Sequence, residues 1–200
     1  MNNNYGIPDH LFTVQYSDKT YSWTLGTRMG QFISEIERLY GARDITWTLL
    51  GFGFNEGRPN IFFSGYPARR QIIIRLGEKA FESAPQAIYQ LAHECIHLLA
   101  PVVRGNAPAL EEGLATMYSE DKVKALYPSP QDAIRTILQN YIDAAARGRE
   151  LLQLEPDAIR QLRAVEPDFY KMTEQTFVHA GLNVPTALVE ELLSTFADSE

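Results

Sequence analysis

The stretch SAPQAIYQLAHECIHLLAP, residues 83–101, decides how this chain folds. Ser83 offers a polar cap, and Pro85 falls in the first turn, where a missing N–H costs nothing. From Gln86 to Leu99 the apolar positions are Ala87, Ile88, Leu91, Ala92, Cys95, Ile96, Leu98 and Leu99, which predicts one long buried helix. Pro101 stops it. Inside it lies His93-Glu94-Cys95-Ile96-His97, an HExxH sequence. Two imidazoles four residues apart leave the same helix face, so both can reach one metal ion. A pair of hydrogen-bonded core histidines is the bland reading, but two His and a Glu on a buried helix all need partners, and a metal supplies them.

Glu94 follows the first His and points to one side of that metal, where it can take a proton from a water the metal activates. Zinc-dependent hydrolysis of amide bonds uses this arrangement, so the sequence predicts a metal-dependent hydrolase. A catalytic zinc site needs a third protein ligand and an open position. The remaining histidines are His10, which has no context, and His179. Ala100 and Val103 stand where HExxHxxGxxH would need Gly and His, which excludes that longer pattern. Beyond Pro101 and a loop over 102–107 containing Gly105 and Asn106, Pro108 opens a second helix that runs to about Tyr127. The short connection brings the two helices together, so a Glu in the first turns of the second can face the two His. Glu111 and Glu112 both stand there.

HExxH followed on the next helix by Glu112-Gly113-Leu114-Ala115 resembles the gluzincin metallopeptidases, whose third ligand is a Glu often found within Glu-Gly-x-Ala. The resemblance covers about residues 72–127. It implies a zincin-like fold, Zn²⁺ held by His93, His97 and Glu112, Glu94 as general base, and a peptide or protein substrate. Gly113 beside the ligand would allow close helix approach. Fourteen residues separate His97 from Glu112, fewer than in the large aminopeptidase and thermolysin-like families. Glu111 is the rival ligand; a solvated helix N-terminus, where acidic residues favour the macrodipole, is the reading we take for it. The family's oxyanion donor is typically a Tyr or His downstream of the third ligand. That points to Tyr170 and His179, with Tyr118 and Tyr141 as rivals, and spacing does not choose among them. The strand beside the active-site helix is an edge strand in such folds and pairs with extended substrate. The resemblance gives that role to residues 71–76, with an ordinary central strand as the alternative.

The remainder of the chain predicts an α+β fold: a small N-terminal mixed or antiparallel sheet, an active-site helix pair and a helical C-terminal part. Leu11 to Tyr16 and Tyr21 to Leu25 flank a hairpin turn, and Thr27 to Tyr40 reads as an amphipathic helix ending at Gly41. Residues 45–52, 61–63 and 71–76 read as strands; Ile72, Ile73 and Ile74 make the last the clearest. Arg69 and Arg70 before it could bind a substrate carboxylate or form a solvated pair, and we take the second reading. Pro130, Pro156, Pro167 and Pro185 mark helix starts at about 130–146, 156–164, 167–180 and 185–197. Ala144-Ala145-Ala146 reads as helix packing.

With 200 residues and 45% hydrophobic content, one domain is expected, divided into a sheet-bearing part at 1–82, the helix pair at 83–127 and a helical part at 128–200. A net charge of −7 argues against nucleic acid as a partner. No run of about 18 apolar residues predicts a membrane span, and Met1-Asn2-Asn3-Asn4 lacks the pattern of a secretion signal, so the expectation is a cytoplasmic protein away from membranes. One cysteine allows no internal disulfide, and Cys95 reads as core packing. Oligomeric state is not readable. Two further classes stay open: a catalytically silent gluzincin-like module acting on one protein partner, against which the intact Glu94 argues, and a structural protein with a chance motif.

Overall fold

The computed structural model describes residues 14–15, 22–66, 68–102, 107–129 and 138–196. Among them the fold is α+β, with seven α-helices and two small sheets. The chain groups into two compact units, one of Met1–Ser34, Ile45–Cys95 and Ser119–Ile134, the other of Glu35–Asp44, Ile96–Tyr118 and Arg135–Glu200. Helices α1 (Leu25–Tyr40), α2 (Ala84–His97) and α3 (Ala109–Leu126) each contribute residues to both.

The first unit carries both sheets. Strands β1 (Val14–Gln15) and β2 (Ser22–Trp23) pair antiparallel, as the hairpin reading expects; its remaining residues before Ser22 lie outside the described ones. Strands β3 (Thr48–Phe54), β4 (Asn60–Ser64) and β5 (Gln71–Leu76) form a mixed sheet in the order β3-β5-β4. Strand β5 is parallel to β3 and antiparallel to β4. Register sets Leu49, Phe52 and Phe54 on one side of Ile72, Ile74 and Leu76, and Ile61 and Phe63 on the other. These residues share one face, and Ile72, Ile74 and Leu76 are fully buried. The register shifts between Leu49 and Phe52, where Gly51 takes a φ of 136° that a side chain would resist.

Strand β5 therefore has both of its edges paired, which overturns the edge-strand role for residues 71–76. Every second residue of the strand, Ile72, Ile74 and Leu76, is fully buried between the paired neighbours, as suits a central strand. Helix α2 follows β5 after a short 3₁₀ turn at Glu78–Phe81. The Ser83 hydroxyl accepts the Gln86 N–H at 3.3 Å, so the expected cap is in place. Buried Gln90 ties the helix to the strand by accepting the Gly77 N–H at 2.8 Å.

In the second unit, helix α4 (Gln139–Leu154) crosses α3 at small residues. A Cβ at Gly113 would lie 2.2 Å from the Ala144 carbonyl oxygen, so only glycine fits. Ala144 and Ala145 are buried there, the packing role expected of them. The N-terminus of α3 is held by the end of the chain. Ala109 N–H donates to Ser194 O at 2.9 Å, and Phe196 N–H donates to Ala107 O at 3.0 Å, around a bridge pairing Pro108 with Thr195.

Helices α5 (Ala158–Val165), α6 (Glu174–His179) and α7 (Thr186–Leu193) complete the unit. Buried Arg163 on α5 donates to five main-chain carbonyls: Pro167, Tyr40, Gly41, Ala42 and Leu99. Three of these close the C-terminal end of α1, where a cation complements the helix dipole. Burial lowers the Arg163 pKa from its ordinary value, while the charges of Asp168, Glu111 and Glu37 oppose that fall.

Three C-terminal boundaries differ from the sequence reading, the last being the helix read at 185–197, which ends at Leu193 because Thr195 leaves it to pair with Pro108. Helix α4 runs on through Gly148 to Leu154 and does not end near 146, since Gly148 packs against Met117 and Gly113. Residues 130–137, where the reading began that helix, lie outside the described ones. The stretch 167–180 is two pieces, a 3₁₀ turn at Phe169–Lys171 and α6, because Thr173 and Thr176 form a capping box that starts a new helix. Among the described residues no helix is long and apolar enough to cross a membrane.

Candidate metal centre

Helix α2 presents His93 and His97 one turn apart, as the spacing requires. Both are shielded from solvent, with His93 buried and His97 partly so. On α3, Glu112 stands in the first turn beside Glu111. One ligand atom from each of His93, His97 and Glu112 lies within 4.8 Å of the other two. No other group of three or more His, Cys, Asp or Glu among the described residues is so placed.

The two sides of the His97 ring have different neighbours. Nε2 lies 3.6 Å from Glu112 Oε1, while Nδ1 lies 2.7 Å from Glu111 Oε1. A separation of 3.6 Å is too long for a good hydrogen bond. It is close to the roughly 3.4 Å between two ligands of a tetrahedral zinc with bonds of about 2.0–2.1 Å. Two imidazoles and one carboxylate are a donor set suited to zinc, and three protein ligands leave a fourth position open. The residues present therefore fit a catalytic type of zinc site.

Glu94 is also buried, one residue along α2 from His93. Its charge and the burial of Cys95 act together on the neighbouring thiol: burial first, Glu94 second, push the Cys95 pKa far above the ordinary thiol value. Cys95 is thus an inert part of the core, as its position on the helix suggested. Tyr89, one turn before His93, stacks its ring on the His93 imidazole at 6.4 Å between centroids.

The sequence reading misplaced Glu111. It is 2% exposed, buried and bonded to His97, where a solvated helix N-terminus was expected. The cause is packing around α3, whose residues from Ala109 to Ser119 are all buried except Glu112. Two adjacent acidic residues on a buried helix start were the available signal, since helix geometry turns neighbours to different sides.

The candidate oxyanion donors stand on elements other than the two helices that carry the candidate metal ligands. Tyr170 sits in the 3₁₀ turn, 48% exposed, with the Lys171 ammonium 5.3 Å from its ring centre. His179 is exposed at the last position of α6. Among the described residues, neither has a hydrogen bond to His93, Glu94, His97 or Glu112. Of the rivals, buried Tyr118 donates its hydroxyl to Glu35 at 3.0 Å, and Tyr141 packs on Phe196 at 4.6 Å between centroids. His10 lies outside the described residues. Arg70 packs its guanidinium over the Trp47 ring at 4.7 Å and is a structural contact of its loop.

Comparison of the chain with protein-family models, with curated proteins and with solved structures gives no match.

Proposed function

We propose that the chain is a zinc-dependent metallopeptidase of the gluzincin type, with a zincin-like fold and a peptide or protein as substrate. The observation that carries this reading is the convergence of His93, His97 and Glu112 within 4.8 Å, beside buried Glu94 on the same helix. His93, His97 and Glu112 would hold the ion. Zinc, when bound, supplies a Lewis acid that activates water and polarises the scissile carbonyl.

The protein's own groups do the rest. Glu94 accepts the proton of the attacking water and passes it to the leaving amine. An extended substrate would pair with an outer strand, β3 or β4, since β5 is paired on both sides. The oxyanion needs a donor besides the metal, and the exposed Tyr170 and His179 are the candidates for it. A chain with no membrane-crossing helix among its described residues and an inert buried thiol is compatible with a cytoplasmic setting.

The test is cleavage of a peptide library followed by mass spectrometry, with zinc-loaded wild type beside Glu94→Gln. Wild type should cut, and Glu94→Gln should keep its zinc and lose turnover. Equal turnover by both proteins would refute Glu94 as the base. No cleavage by zinc-loaded wild type, of library or of cell extract, would favour the silent binding module.

A further inference from the structure

The Glu111 carboxylate is buried at 2% exposure, and it is not needed to complete the ligand set of His93, His97 and Glu112. Burying a carboxylate is costly unless it is well satisfied. Only Oε1 is satisfied, by His97 Nδ1 at 2.7 Å; Oε2 is buried with no hydrogen-bond partner among the described residues. A carboxylate can only accept, so this bond requires the proton on Nδ1. A neutral ring with its proton on Nδ1 carries its lone pair on Nε2. That is the nitrogen 3.6 Å from Glu112 Oε1.

We propose that Glu111 is a positioning residue: its buried carboxylate holds His97 in the one tautomer and ring orientation whose Nε2 faces the metal position beside Glu112. The inference rests on the zinc-site reading above and adds a residue to it. Glu111 and Glu112 are adjacent on α3, so one helix start supplies both the ligand and the group that orients the neighbouring ligand. The bridge at Pro108 and Thr195 and the close contact at Gly113 fix that helix start. A second partner of this kind typically changes metal affinity about 10- to 100-fold.

The experiment is a zinc competition titration against a chelating indicator, for wild type, Glu111→Gln and Glu111→Ala. It is paired with urea denaturation of the metal-free proteins and with nitrogen NMR of the His97 ring. Glu111→Ala should bind one zinc about 10- to 100-fold more weakly. Glu111→Gln keeps an acceptor and should fall between the two. Metal-free Glu111→Gln should be at least as stable as wild type, because a buried charge is gone. A merely structural residue would lose stability and affinity together. Metal-free wild type should show the proton on Nδ1 of His97, and Glu111→Ala should shift it toward Nε2.

Wild-type zinc affinity in Glu111→Ala would overturn the proposal, as would an unchanged His97 tautomer. Loss of all zinc from Glu111→Ala with zinc retained by Glu112→Ala would also overturn it, making Glu111 a ligand. Absence of zinc from wild type would sink the metal site alone, since the tautomer of the metal-free ring still decides what Glu111 does.

Discussion

Adding a methyl group at Gly113 tests whether helix packing sets the position of Glu112, the candidate third ligand. The Cβ of Gly113→Ala would lie 2.2 Å from Ala144 O and 2.6 Å from Ala144 C. Both obstacles are main chain and cannot rotate away, so α3 and α4 must part by about 1 Å to restore ordinary contact. Overpacking of this kind costs about 1–3 kcal/mol, and main-chain obstacles put Gly113 at the upper end. Alanine returns roughly 0.5–1 kcal/mol in a helix interior, leaving a net loss of about 2 kcal/mol. For a chain of this size that lowers the melting temperature by about 4–8 °C. Two other helical glycines serve as controls. Gly30 has nothing within 4 Å of a built Cβ, so Gly30→Ala should stabilise by about 0.5–1 kcal/mol. Gly148 would meet the flexible Met117 sulfur at 3.1 Å, so Gly148→Ala should be nearly neutral. Urea denaturation of the three variants gives the order, and a zinc titration of Gly113→Ala should show weaker binding with all ligands intact. Equal stability of Gly113→Ala and Gly30→Ala, with unchanged zinc affinity, would refute the reasoning.

Arg163 and Cys95 give two further expectations. Arg163→Met removes donors from five carbonyls at once and should cost about 3–5 kcal/mol in chemical denaturation. Arg163→Lys should recover little of it, because one ammonium cannot span that fork, and recovery to wild-type stability would contradict the account. The Cys95 pKa is raised in the folded state, so its contribution is present below the unfolded thiol value and is lost as pH rises above about 8.5. Metal-free wild type should therefore lose up to about 1.4 kcal/mol per pH unit more than Cys95→Ala above that pH, and parallel stability curves would contradict it.

Much of the fold was legible because local signals agreed with packing. The Ser83 cap, the apolar run and Pro101 placed α2 to within two residues, and Pro108 placed α3 to within one. The spacing of the candidate ligands was legible for the same reason: a helix fixes His93 against His97, and Gly113 flagged the close crossing that α4 makes. What failed to show in the sequence depends on contacts between distant residues. Strand β5 reads as a strand by its isoleucines, but its place between β3 and β4 is a matter of order that periodicity does not carry. Gly148 looks like a helix breaker until Met117 and Gly113 are packed against it. Glu111 looks like a surface residue because burial of the whole α3 start depends on residues 194–196 pairing with it, some 85 positions away.

Zinc content of the purified protein, by elemental analysis, tests the central claim most directly. Wild type is measured beside His97→Ala and Glu112→Ala, each checked for folding by circular dichroism. About one zinc per chain in wild type, lost or strongly reduced in both folded variants, is the result this account predicts. Wild type without zinc after reconstitution, or variants that keep it in full, would contradict the assignment of His93, His97 and Glu112 as its ligands.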